Sequence, residues 1–347
     1  MKRKLLALFR IAFISIILFG CTSTNTIYEY SNPPSENEIE QIEPTIRYKL
    51  LASVIKNMDG KSIWGQDAEH MAEYFKNLDQ SKRLIVPKKI RNGFNLTETK
   101  LNGRSCYFVE PKSNSRNDKV VLFLHGGGFV FDIDSYHWDV VKSIADKLSV
   151  PVFVPMYPVY PDNNPDVLMQ FVIDSYTKLR MDFPFAEISV LGDSSGADLA
   201  LSLCHYLSDN NIDFSFPDKI ICVSPAMLFE LDDDTIREMK KIEPEDIVFS
   251  MKMVESLPAL FDLSVDSVKY FTTPLYGDFT KFPPIYVLSG TAEIFYPQIP
   301  PFVKRVKEQG KYIEFYSGYK LMHGWPYMPF APECKKGLSI ILEIISK

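Results

Sequence analysis

The residues Gly192-Asp193-Ser194-Ser195-Gly196 carry the pattern G-x-S-x-G at the end of the apolar run Ile188 to Leu191, and Ala197 to Leu207 behind them read as a helix. A hydroxyl held on a sharp strand-to-helix turn stands exposed for nucleophilic attack. Such a turn crowds its own flanks, which must be small, and Gly192 and Gly196 meet that need. Ala197 and Ala200 keep the following helix close to the sheet. The turn would set Ser194 at the carboxyl edge of the sheet, where open α/β sheets form their sites. A second pattern, His125-Gly126-Gly127-Gly128-Phe129, follows the run Val120 to Leu124. Three glycines let backbone N–H groups converge on one point, and such donors can hold the negative oxygen of a tetrahedral intermediate. Gly126 and Gly127 are the expected donors, with the N–H of Ser195 as the third. The competing reading, a phosphate-binding glycine loop, is weaker, because no Lys-Ser/Thr follows and no second dinucleotide-type glycine pattern is present. His125 precedes the nucleophile and is expected to brace the loop.

The elements that must position these groups alternate between strand and helix. Helical spacing over Ile46 to Met58 sets Leu50, Leu51, Val54 and Ile55 on one face, and Gln66 to Leu78 does the same with Met71, Tyr74, Phe75 and Leu78. Leu96 to Leu101 and Ser105 to Val109 flank Asn102-Gly103, a strong hairpin turn. Short apolar runs then recur at Val120–Leu124, Val152–Val154, Ile188–Leu191, Ile220–Val223, Ile285–Leu288 and Ile313–Tyr316, each followed by a helix-length segment. This is the pattern of a mostly parallel sheet covered on both faces, an α/β fold. The spacing breaks once, between Val223 and Ile285, where the acidic run Asp232-Asp233-Asp234 and a helical pattern from Ile247 to Leu263 predict an insertion over the sheet.

HGGGF upstream of GDSSG resembles the hormone-sensitive-lipase-like branch of the α/β-hydrolases, from about Asn92 to the C-terminus. Tyr157-Pro158, Pro161, Thr273-Pro274-Leu275-Tyr276-Gly277-Asp278 and Pro283-Pro284 add to the likeness. Ser195 stands where the family usually has Ala, and Val159-Tyr160 replace a small apolar pair. The resemblance implies an eight-stranded, mostly parallel sheet with helices on both faces and a helical cap, drawn from about 45–90 and 226–272. It implies a triad in the order Ser, acid, His. His323, just after the last strand in Leu321-Met322-His323-Gly324-Trp325, is the histidine; His205 lies in the helix behind the elbow. Glu293, in Ser289-Gly290-Thr291-Ala292-Glu293, takes the acid position, with Asp266 and Asp278 as alternatives by chain order. Asp193 would brace the loop beside its nucleophile. Phe129 and Trp325, inside the motifs, are the expected substrate-binding residues. Met227, Phe229, Met251, Met253, Leu257, Leu260 and Phe261 either line an acyl pocket or pack the cap. The implied activity is a serine carboxylesterase acting on small esters of short to medium acyl chain through an acyl-enzyme, without cofactor or metal. Deacetylation of sugars or amides, a catalytically silent ligand-binding protein, and an envelope interaction protein are the alternatives.

The N-terminus reads as an address. Lys2, Arg3 and Lys4 precede the apolar run Ile11 to Phe19, and Gly20-Cys21 closes it. Leu18-Phe19-Gly20-Cys21 resembles a bacterial lipobox, so residues 1–20 are expected to be a lipoprotein signal peptide. Cys21 would be the lipidated residue, 21–44 a flexible tether and 45–347 the hydrolase domain, exported and lipid-anchored to the bacterial cell envelope. The 347 residues carry a net charge of −6 and a pI near 5.5, which opposes a nucleic-acid partner. Loss of Lys2, Arg3, Lys4 and Arg10 with the signal would make the mature chain more acidic still. With 25 Phe and 18 Tyr the chain can build a core. Five cysteines without a CxxC pair exclude a zinc ribbon, and His70, His125, His137, His205 and His323, scattered without HExxH, make an imidazole metal centre a weak reading. Cys106, Cys204, Cys222 and Cys334 could be free or paired after export, with Cys222 a buried small hydrophobe.

Overall fold

Continuous runs of β-branched and aromatic residues, apolar on both faces, build the middle of the molecule. In the computed structural model the described residues are 27–30, 43–57, 60–81, 83–210, 215–227, 231–261, 269–270, 276–328 and 330–347. The leader with Cys21, Phe229, Asp266 and Thr273-Pro274-Leu275 lie outside them. Nine strands form one sheet: β1 (Ile27–Tyr30), β2 (Asn95–Leu101), β3 (Arg104–Glu110), β4 (Lys119–Leu124), β5 (Val152–Pro155), β6 (Glu187–Asp193), β7 (Lys219–Val223), β8 (Ile285–Gly290) and β9 (Ile313–Gly318). Their order is β1-β9-β8-β7-β6-β4-β5-β3-β2. β4 to β9 run parallel, and β3 lies antiparallel to β5. The hairpin β2–β3 turns at Asn102-Gly103, where φ is 48° and 81°. Two successive positive φ values match the right-handed twist of the flanking strands.

The eight strands from β2 to β9 are the mostly parallel sheet that the sequence implies. β1 is an addition, and it falls inside the segment read as a tether. Ile27 to Tyr30 pair antiparallel with Gly318 to Phe315. The physical reason is the open edge of β9, whose unpaired backbone groups accept a strand from any nearby segment of adequate β-propensity.

Eleven helices are described: α1 (Ile46–Lys56), α2 (Gly60–Trp64), α3 (Ala68–Lys76), α4 (Lys88–Gly93), α5 (Ser135–Leu148), α6 (Pro165–Asp182), α7 (Ser195–Asp209), α8 (Asp233–Ile242), α9 (Met251–Ser256), α10 (Ile299–Glu308) and α11 (Pro332–Ser346). Capping side chains start several of them, Thr45 accepting from the N–H of Tyr48 and Asn164 from that of Val167. α1 buries part of the face its apolar spacing predicts: Tyr48 is buried, Leu51 and Ile55 are half-buried against the core of Trp138 and Trp325, and Leu50 is 48 % exposed. Polar ties add to this packing. The backbone N–H and hydroxyl of Thr45 donate to Glu333 of α11 at 2.7 and 3.1 Å. α3 does bury Met71 and Phe75, with Tyr74 exposed.

Two apolar cores lie on the two faces of the sheet. One joins α6, α7 and α10 to the cap residues Trp64, Phe75, Phe249 and Leu257. The other joins α5 and α11 to Trp138 and Trp325. A Cβ on Gly337 of α11 would stand 2.2 Å from the Trp325 ring. An exposed helical Gly→Ala change gains up to about 1 kcal/mol, but overpacking a core typically loses about 1–3 kcal/mol. Gly337→Ala is therefore expected to lower the melting temperature by a few degrees; a thermal melt showing a rise would mean that the Trp325 ring yields freely.

Candidate active site

Close backbone approach explains the turn at Ser194. A Cβ on Gly192 would lie 2.2 Å from the carbonyl oxygen of Gly196, and one on Gly196 would lie 2.1 Å from that of Leu124. Between them Ser194 adopts φ 51° and ψ −127°, a conformation that L-residues rarely take and that the surroundings must enforce. Its N–H donates to the carbonyl of Val223 at 2.8 Å, tying the turn to β7.

The glycine loop after β4 is held by a relay of buried polar groups. Asp193 accepts the N–H of Gly126 on Oδ1 at 2.9 Å and meets His137 Nε2 on Oδ2 at 3.1 Å. His137 Nδ1 accepts the N–H of Asp134 at 3.0 Å, so the ring proton sits on Nε2 and points at Asp193. Gly126 is therefore engaged, which corrects the expectation that its N–H is an oxyanion donor. The N–H groups of Gly127, Gly128 and Ser195 have no protein acceptor among the described residues. His125 stacks on Tyr157 with ring centroids 4.2 Å apart, and its Nδ1 meets the carbonyl of Gly126 at 2.7 Å. Burial pushes its imidazole down to about 3, so it stays neutral.

Glu293 and His323 come together at the ends of β8 and β9. Glu293 Oε2 lies 2.7 Å from His323 Nδ1, and Oε1 accepts the N–H of Gly290 at 3.0 Å and the hydroxyl of Ser289. Glu293 is fully buried. The loop of His323 is anchored on both sides: the N–H of Met322 donates to the Tyr48 hydroxyl at 2.5 Å, and that of Gly324 to Ser224 Oγ at 3.0 Å. Ser224 is itself in a left-handed conformation, φ 46°, with its N–H on the carbonyl of Leu288 at 2.7 Å. Hydrogen bonds thus run from the turn at Ser194 through β7 to the loops of Glu293 and His323. An imidazole whose Nδ1–H faces a carboxylate leaves Nε2 as a base.

Other sequence-predicted positions fall elsewhere. Trp325 is completely buried in the core on the opposite face, against Gly337, so it is not a substrate-binding residue; an aromatic next to His323 was as free to turn inward as toward a ligand. Phe129 remains near the loop, at φ 62°, with its ring edge-on to Phe261 of the insertion at 6.0 Å. His205 packs on Phe279 and Phe282. Asp278 Oδ1 accepts the N–H of Thr280, and the Thr280 bonds lower its carboxyl. Cys106, Cys204, Cys222 and Cys334 are buried free thiols. Among the described residues no group of three His, Cys, Asp or Glu side chains could hold a metal ion.

Of the cap residues that touch this region, the sequence singled out Leu257 but not Trp64, Gln80 or Phe249. Trp64 of α2 and Leu257 lie 3.2 and 3.5 Å from where a Gly128 Cβ would be. Gln80 holds the loop beyond it, donating to the carbonyl of Val130 and accepting the N–H of Asp132, each at 2.8 Å. Phe249 sets its ring edge-on to His323 with centroids 4.7 Å apart. No local motif marks Trp64, Gln80 or Phe249; only the fold brings them here.

A model of the alpha/beta hydrolase fold family matches residues 121–327, and the chain belongs to that family. An acetyl-hydrolase of Streptomyces hygroscopicus is 22 % identical over 65 % of this chain and 74 % of its own length. Esterase LipU of Mycobacterium tuberculosis is 25 % identical over 53 % of this chain and 60 % of its own, so the match spans a little less than two thirds of that relative. Among solved structures, an esterase from the bacterial hormone-sensitive lipase family superposes with a TM-score of 0.70 at 19 % identity, covering 88 % of this chain and 99 % of that one. The fold likeness and the motif likeness agree.

One buried carboxyl beside the turn is only half satisfied, by the backbone N–H of Ala226. Asp198 of α7 is 3 % exposed, Oδ1 has no partner, and burial pushes its carboxyl well above the usual range. A carboxyl raised on folding favours the folded state below its unfolded value of about 3.9, and that advantage fades as pH rises toward the folded value. Asp198→Asn carries no such linkage. Melting curves from pH 4 to 8 are expected to show the variant gaining on the wild type as pH rises; a gap independent of pH would contradict this.

Proposed function

We propose that the chain is a serine carboxylesterase acting on small carboxylic esters, with Ser194, Glu293 and His323 as its catalytic residues. The observation that carries this reading is the 2.7 Å contact between Glu293 and His323 Nδ1, in loops joined by hydrogen bonds to the strained turn of Ser194. Ser194 Oγ attacks the ester carbonyl while His323 Nε2 takes its proton and later returns it to the leaving alcohol. Glu293 holds the tautomer and stabilises the imidazolium. The N–H groups of Gly127 and Ser195 hold the oxyanion, and Gly128, the next amide in the loop, takes the place left by Gly126. Water then attacks the acyl-enzyme by the same route.

Trp64 and Leu257, packed over the α-carbon of Gly128, favour short acyl groups. The name of the Streptomyces relative makes an acetyl ester or acetamide the second substrate to examine. The leader Met1 to Cys21 supports export with lipid attachment at Cys21; Cys21→Ala is expected to move the protein from the membrane to the soluble fraction, and an unchanged distribution would refute lipid anchoring.

With p-nitrophenyl acetate as substrate, Ser194→Ala is expected to lose about 10⁴-fold or more in kcat, and Glu293→Ala about 10²- to 10⁴-fold. An unchanged rate in the first would remove Ser194 as nucleophile. An unchanged rate in the second would move the acid to another carboxylate.

A further inference from the structure

Asp246, in the loop between α8 and α9, is 2 % exposed and belongs to no sequence motif singled out above. Its Oδ1 accepts the N–H groups of Val248 and Phe249 at 2.7 and 2.8 Å. Those two bonds are local and close a turn of the Asx type. The third is not local: Oδ2 accepts the N–H of Ile294 at 2.8 Å, across 48 residues. Ile294 directly follows Glu293. Phe249, held by the other oxygen, sets its ring against His323 and at 5.4 Å from Phe295. One carboxylate therefore fixes the residue beside the Glu293 carboxylate and the ring that packs on the His323 imidazole.

We propose that Asp246 is a positioning residue that locks the cap onto the Glu293–His323 pair, so that the alignment of the pair depends on the cap being seated. The proposal rests on the esterase reading above for its kinetic consequence but not for its geometry. A turn alone would need only one acceptor oxygen, and a buried carboxylate carries a desolvation penalty that a neutral side chain avoids. The second oxygen reaches across to the loop of Glu293. The rest of the cap is fastened around the same point. Lys61 Nζ donates to the carbonyl of Glu243, Ser250 Oγ to that of Trp64, and Met251 N–H to Glu243 Oε1. The first two bonds join the two halves of the cap and the third closes the insertion on itself; the Asp246 carboxylate ties the insertion to the residue that follows Glu293, and Gln298 Nε2 donates to Met239 Sδ at 4.0 Å farther along the same loop.

Asp246→Asn separates the two roles. The amide oxygen can keep the bonds from Val248 and Phe249, whereas the NH₂ group then meets the N–H of Ile294, donor against donor. With p-nitrophenyl acetate the variant is expected to lose about 10- to 100-fold in kcat with a far smaller change in KM, at a melting temperature that shows a folded protein. Phe249→Leu, which removes the ring contact from the other side, is expected to lower kcat in the same sense. An equal kcat, or a raised KM with kcat kept, would overturn the proposal and leave Asp246 as a turn former. The second readout does not need turnover. The Nδ1 proton of His323, bonded to a carboxylate, gives a far-downfield ¹H NMR signal. It is expected to be sharp in wild type and broadened or moved in Asp246→Asn. If wild type shows the signal but no hydrolysis, the esterase reading fails while the lock is still tested by the shift; a signal identical in both proteins overturns the lock.

Discussion

Everything at the carboxyl edge of the sheet depends on how closely two backbone segments meet beneath Ser194. Gly196 lies against the carbonyls of Leu124 and His125, and Gly192 against Gly196 itself. No side chain fits between them. This contact forces the strained φ of Ser194. It also sets the glycine loop after β4 beside the first turn of α7, so that the N–H groups of the loop and of Ser195 are neighbours. The energy for holding the strain comes from the buried sheet around it, where β4, β6 and β7 are apolar on both faces.

Buried carboxylates do most of the remaining positioning. Asp193 orients Gly126 and is oriented by His137; Glu293 is fixed by Gly290 and Ser289 before it meets His323. Each accepts N–H or O–H donors that offset the loss of hydration. Asp246 follows the same rule with three backbone donors, although burial still raises its carboxyl. Asp198 breaks the rule, with one oxygen left without a partner, and burial dominates it.

The sheet was legible in the sequence because strands buried on both faces are continuous apolar runs, and G-x-S-x-G and HGGG name their own backbone geometry. Glu293 and His323 were legible through chain order and resemblance, and the structure places them in contact. Trp325 was misread, since adjacency to His323 says nothing of which face of the sheet a ring enters. Gly126 was misassigned because a motif does not reveal that Asp193 already holds its N–H. β1 was hidden in a polar stretch, where only the free edge of β9 could select it. Asp246, Phe249 and Trp64 carried no signal at all, because they reach the region through long-range packing of the cap.

The most direct test of the account is the chemical identity of the nucleophile. Folded wild-type protein, treated with a fluorophosphonate and digested, is predicted to carry a single phosphonyl adduct on the peptide that holds Ser194, formed far more slowly in His323→Ala. An unlabelled wild type that is folded, or an adduct on Ser195 or any other residue, would contradict it.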